Sequence, residues 1–308
     1  MGTPDFAVPS LIALLNDGWP VAGVVTQPDR PVGRRRTLLP SPVKSAAQQA
    51  AIPVLQPERV RRPEALEMIA ALRPNIIVTA AYGQILPPAL LELADLGAFN
   101  VHASLLPKYR GAAPIQWALM NGEERTGITI MTMVKELDAG PIWATAETTV
   151  GPDDTYGTLH DRLAVLGAQL LRDSLPRMIS GERVAQPQDD SAATYAPPIR
   201  RDDEQIDFRH SATGVCNLIR ALSPRPGAFT RVGGKVLKIW SAHLDGTWTE
   251  GAAPGRFVGR RPDGPVIACG VGAIVATRLQ TAGGKAQSGA DFLHGTRDVE
   301  TLCCTRDE

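Results

Sequence analysis

The chain has 308 residues, 44% hydrophobic and 21% charged, with a formal net charge of zero. That length exceeds one ordinary core and the balance is that of a globular protein, so disordered, fibrous and uniformly basic classes are excluded and two domains are expected. No apolar run is long enough to cross a bilayer, and the opening MGTPDFAVPS lacks the basic and apolar segments of a secretory signal, which predicts a cytoplasmic protein with no membrane partner.

In chain order, residues 21–26 (VAGVVT), 75–80 (NIIVTA), 98–102 (AFNVH) and 128–133 (ITIMTM) are short β-branched runs with helical patterns between them. Pro9 and Pro63 suit the first turn of a helix, where a missing N–H costs nothing, and Gly18 suits a helix end. Strands alternating with helices predict a wound α/β sheet. A long amphipathic helix from about residue 158 to 175 completes that domain, with Pro176 and Gly181 expected to end it. The first domain is therefore placed at residues 1–183.

Residues 184–203 carry prolines, small polar residues and charges without periodicity and read as an extended linker. The second domain, residues 204–308, opens with a helix near 212–222. Short strands follow near 235–240, 256–260, 266–269 and 273–279, and Asp263-Gly264 is a hairpin turn. A small antiparallel barrel is the expected architecture. The four cysteines, Cys216, Cys269, Cys303 and Cys304, have neither zinc-site nor disulfide-framework spacing, so thiols and no metal are expected.

The chemistry concentrates in residues 98–122. Strand alternation puts Asn100 and His102 on one face at the carboxyl end of a strand, where open α/β sheets bind ligands. Taken alone, a histidine there is more often structural, and Asp138 by itself reads better as a carboxylate capping the turn before Gly140.

Asn100-Val101-His102, then Ser104-Leu105-Leu106-Pro107, Tyr109-Arg110-Gly111-Ala112-Ala113-Pro114 and Leu137-Asp138-Ala139-Gly140, in this order and spacing, resemble the folate-dependent formyltransferase family. The resemblance runs from Gly2 to about Gly295 and leaves residues 296–308 as an unmatched tail. It implies a Rossmann-like formyltransferase domain followed by an OB-like barrel, and the absence of GxGxxG fits a folate site rather than a dinucleotide site. It further implies that Asn100, His102 and Asp138 are catalytic and that 10-formyltetrahydrofolate is the co-substrate. Ser104, Leu105, Leu106 and Pro107 would then contact the folate, although both leucines read equally as core. Residues 81–87 (AYGQILP) resemble the family's other pterin wall.

Family members act on different amines, and residues 26–44 are similar to the insertion loop of its methionyl-tRNA branch. Arg34 matches the loop arginine that enters the tRNA acceptor end, with Arg35 and Arg36 beside it. By itself such a cluster reads as a solvated basic loop. Between Phe208 and Gln287 eleven basic residues stand against three acidic ones, which suits an RNA platform. Initiator methionyl-tRNA is thus the expected acceptor, for a monomeric enzyme. The competing readings are a formyltransferase for a small amine such as an amino sugar nucleotide, or a catalytically impaired truncated homologue.

One departure accompanies the resemblance. In the family, Gly-Thr-Pro-Asp-Phe follows a first apolar strand, whereas here Met1 directly precedes Gly2. The first strand is expected to be missing, from a start at an internal methionine, leaving a slot in the core between residues 21–26 and 75–80.

Overall fold

The computed structural model describes residues 1–32, 37–182, 184–247 and 251–306. The chain forms two compact units. The first comprises Met1–Pro114, Arg125–Thr149 and His160–Pro197, and the second Ile115–Glu124, Val150–Leu159 and Pro198–Glu308.

The strands of the first unit form where apolar β-branched residues cluster. Val24–Val25 pairs in parallel with Val54–Leu55, and Ile77–Thr79 in parallel with Ala98–His102. The latter sheet continues antiparallel through Arg125–Thr132 and Ile142–Thr149. Met1 and Gly2 bridge the two sheets. Gly2 N donates to Val25 O at 3.0 Å, Ala80 N to Met1 O at 3.0 Å, and the Met1 amino group to Val78 O at 2.6 Å. Val24–Val25 and Ile77–Thr79 form no ladder with each other. A cavity of about 540 Å³, lined by Leu11, Val24, Val25, Ile77, Val78 and Leu175 among others, lies where the slot is expected.

Helices begin and end where backbone chemistry directs. Pro9 sits in the first turn of Val8–Asn16, and Pro63 opens Pro63–Ala70. Pro42–Gln49 is capped by the Ser41 hydroxyl, which accepts from Lys44 N at 3.1 Å. The long helix Tyr156–Ile179 differs from expectation by running through Pro176. Burial of Leu175 and Met178 and the bond from Ser180 N to Pro176 O hold the turn around the proline, so the stop falls at left-handed Gly181. Among the described residues no helix is long and apolar enough to cross a membrane.

The second unit is a curled antiparallel sheet in the order Phe257–Arg261, Gly264–Ala268, Ala273–Thr281, Lys235–Leu244, Phe229–Val232, Cys304–Thr305. Arg261 faces Gly264 across the expected Asp263-Gly264 turn. Bonds from Phe257 N to Leu302 O and from Cys304 N to Gly255 O join the two edges, which curls the sheet towards closure. Val215 and Ile219 of helix Ala212–Ala221 share one core with Phe208, Leu237, Ile239 and Phe257. The expected tail is therefore part of the domain: Val299 is fully buried and Cys304–Thr305 is an edge strand. Isolated apolar residues among charges gave the segment no periodicity from which this could be read.

Candidate active site

Two neighbouring strands carry the first site residue and its support. Thr79 lies opposite Asn100 in the parallel ladder, and its hydroxyl is 2.8 Å from Asn100 Oδ1. Phe99 O and Met133 Sδ also lie 3.2 Å from that hydroxyl, but Asn100 Oδ1 is the nearest acceptor, and with the single hydroxyl hydrogen donated to it the amide oxygen is tied down. No bond among the described residues uses the Nδ2 end, which leaves two N–H donors for a ligand. Asn100 is half-buried at the carboxyl end of its strand.

Two residues on, on the same side of the strand, His102 is only 5% exposed. Its Nε2 is 3.0 Å from the Tyr109 carbonyl, which can only accept, so Nε2 carries a hydrogen. The other ring nitrogen, Nδ1, faces the Asp138 carboxylate at 3.6 Å. This separation is longer than a hydrogen bond and within ion-pair range. In the neutral imidazole Nδ1 is then the nitrogen without a hydrogen, the one that can accept.

Asp138 is held from several directions. Its Oδ2 accepts from Gly111 N at 2.8 Å, and its backbone is left-handed, φ 48°. Such a conformation is costly for a residue with a side chain and persists only when the surroundings enforce it. Gly140 helps to do so, because a Cβ there would stand 1.8 Å from Thr132 O. Asn100, His102 and Asp138 thus converge at one strand end.

The other expected positions lie in the loops around that strand. The Ser104 hydroxyl donates to Lys108 O at 2.6 Å and its carbonyl accepts from Thr129, making a fixed turn. Ser104 and Leu106 are buried, whereas Leu105 and Pro107 are half-buried and remain open to a ligand. After the neighbouring strand, Ile85 is 88% exposed. Arg34, Arg35 and Arg36 lie outside the described residues. They are flanked by the antiparallel pair Arg30–Val32 and Thr37–Leu39. Lys44, at the end of the same segment, is paired with Asp29 at 2.6 Å, and this partner holds the Asp29 carboxyl below its ordinary range.

Thr79, the Tyr109 carbonyl, the Gly111 N–H and Gln188 are supports that sequence reasoning did not identify. Strand alternation could have placed Thr79 beside Asn100. Nothing local marks Gln188, which reaches the site from about 50 residues away in sequence and donates to Asp138 O and Gly140 O.

Residues 1–175 match the model of the family described as "Formyl transferase", and residues 198–297 that of "Formyl transferase, C-terminal domain". The chain is 48% identical to the methionyl-tRNA formyltransferase of Bacillus subtilis over 296 residues, covering 96% of this chain and 93% of that protein. It is 49% identical to that of Halalkalibacterium halodurans with the same coverage. Among solved structures, the sugar 3N-formyl transferase WlaRD superposes with a TM-score of 0.65 at 19% identity, covering 91% of this chain and 95% of that one. HypX from Aquifex aeolicus, solved with tetrahydrofolic acid, gives 0.59 at 18%, covering 82% and 43%. With both family models matched in chain order across most of its length, the chain belongs to the formyl transferase family.

Proposed function

We propose that this protein transfers the formyl group of 10-formyltetrahydrofolate to the α-amino group of methionyl initiator tRNA, for translation initiation, with Asn100, His102 and Asp138 as its catalytic residues. The observation that carries the reading is their convergence at one strand end in a chain 46–49% identical to methionyl-tRNA formyltransferases. The competing acceptor, an amino sugar nucleotide, has weaker support, because identity to the sugar formyltransferase WlaRD is 19%.

The residues present fit a folate donor. Half-buried Leu105 and Pro107 and exposed Ile85 offer apolar surface at the carboxyl ends of adjacent strands, with the free Asn100 amide donors on the same edge. Bound folate supplies the formyl carbon. Amine attack makes a new N–C bond and breaks the bond from that carbon to the folate nitrogen, and negative charge grows on the formyl oxygen meanwhile. Asn100 Nδ2 donates to that oxygen; one preorganised donor of this kind lowers a barrier by roughly 3 kcal/mol. His102 Nδ1 takes the proton shed by the amine and passes it to the departing nitrogen. Asp138 stabilises the imidazolium in between.

The acceptor is gripped by charge. Of the basic residues in the second unit, Arg209, Arg260 and Arg261 are paired with Asp207, Glu300 and Asp245. Lys235, Arg256, Arg278 and Lys285 are exposed and have no carboxylate partner among the described residues, so their charge is available to phosphates. Arg34, Arg35 and Arg36 are assigned to the acceptor end of the tRNA. Arg34→Ala should weaken tRNA formylation far more than folate binding, and equal losses in both would remove the arginine from this role.

The reading is tested by replacing Asn100, His102 and Asp138 singly with alanine. Each variant should lose about 100-fold or more in turnover while unfolding cooperatively like the parent. A variant with near-normal turnover would take its residue out of the mechanism.

A further inference from the structure

Most of the stretch expected to be a linker, residues 184–197, belongs to the first unit. Residues 186–196 are bonded to both loops that carry the candidate site. Gln186 exchanges two backbone bonds with Ile142, at 2.7 and 2.8 Å. Tyr195–Ala196 pairs in parallel with Arg110–Gly111, and Thr194 Oγ1 accepts from Tyr109 N at 2.9 Å. Between these anchors stands Gln188. Its Nε2 donates to Asp138 O at 2.8 Å and to Gly140 O at 2.7 Å. Its Oε1 accepts from Arg110 Nε at 3.1 Å and from Arg110 Nη2 at 2.8 Å.

Chemistry leaves this amide one orientation. A guanidinium only donates and a carbonyl only accepts, so Oε1 must face Arg110 and Nε2 must face the two carbonyls. All four bonding positions of the side chain are used. A glutamate could satisfy the arginine but would turn a carboxylate towards both carbonyls. Arg110 is itself 4% exposed and anchored to Asp190 at 2.6 Å, so the amide hangs from a fixed point.

We propose that Gln188 is a positioning residue for Asp138, holding the carboxylate in register with His102. This rests on the reading of Asp138 as catalytic. The bonds act where the loop needs them: Asp138 is left-handed, Gly140 is pressed against Thr132 O, and Gln188 pins the carbonyls of both. The same strap fixes the side-chain end, because Gly111, whose N–H holds Asp138 Oδ2, is the strand partner of Ala196. The segment that leads out of the catalytic unit therefore sets the geometry of its catalytic carboxylate.

The test uses the full-length enzyme, with Gln188→Glu and the uncharged, similarly sized Gln188→Met, each made alone and with Asp138→Ala. Single-turnover formylation of methionyl-tRNA and the KM values for both substrates are measured, with thermal unfolding followed in parallel. Both single variants should lose roughly 10- to 100-fold in turnover, as expected for misplacement of a catalytic group by about an ångström, with KM changed less than about threefold. In the Asp138→Ala background neither should cost more than about twofold. Normal turnover in both variants while Asp138→Ala is inactive overturns the inference alone, as does an equal loss in both backgrounds. Normal turnover in Asp138→Ala overturns the underlying reading instead.

Discussion

At the scale of single residues, the site depends on neighbours that remove rotational freedom from functional groups. Thr79 consumes the oxygen of the Asn100 amide and the Tyr109 carbonyl consumes one nitrogen of His102. What remains free on each is the atom that the proposed chemistry uses. Thr79→Val keeps the side-chain shape and deletes the hydroxyl, so it should lower turnover about tenfold with little change in folate affinity, the loss coming from a mispositioned donor. Unchanged turnover in a steady-state assay would mean that the amide is oriented by something else. Asn100, His102 and Asp138 were legible in the sequence because the family motif names them, and alternation along one strand puts the first two on one side. Their supports were not legible. A hydrogen bond between Gln188 and Asp138 spans about 50 positions and involves a backbone carbonyl, which every residue possesses.

At the scale of elements, the strands of the wound sheet read well from β-branched runs, and residues 98–102 were located to the residue. Ile142–Thr149 was missed because its alternating Ala, Thr and Glu give an edge strand no apolar run. The helix around Pro176 was misjudged because tertiary burial of Leu175 and Met178 outweighs one lost backbone bond. The loop carrying Asp138 depends on an absent side chain: Gly140→Ala would drive a methyl group into Thr132 O. That variant should lose activity roughly as Asp138→Ala does and lower the unfolding midpoint by several degrees, corresponding to about 1 to 3 kcal/mol. A fully active Gly140→Ala enzyme would contradict the rigidity assigned to this turn. In the second unit, Asp207 is held well below its ordinary range, chiefly by Arg209, and also bonds Arg306 at 2.8 Å in the C-terminal segment. A depressed carboxyl contributes stability above its unfolded pKa of 3.8 and loses it as pH falls through the folded value. Asp207→Asn should therefore lower the unfolding midpoint at pH 7, and the gap from the parent should close at pH values well below 4. A gap that does not change with pH would exclude a charge-based contribution.

At the scale of the whole molecule, a neutral chain divides its tasks between two compact units. The first carries the proposed catalytic cluster on a wound sheet, and the second carries exposed basic residues with no carboxylate partner among the described residues. The excess of eight positive charges between Phe208 and Gln287 overstated the available charge, because Asp207 and Glu300, outside that span, neutralise two of its arginines. If tRNA is held through phosphates, the apparent affinity should fall steeply as salt is raised, whereas folate affinity should change little; filter binding and fluorescence titration between about 50 and 200 mM salt would show parallel behaviour if that division were wrong. The most direct measurement offers the enzyme 10-formyltetrahydrofolate together with either methionyl initiator tRNA or an amino sugar nucleotide, and follows formylation of each. Formyl-methionyl-tRNA formed at least about a thousandfold faster than the formylated sugar, and abolished by Asn100→Ala, is the predicted result. Comparable or preferential formylation of the sugar would contradict it.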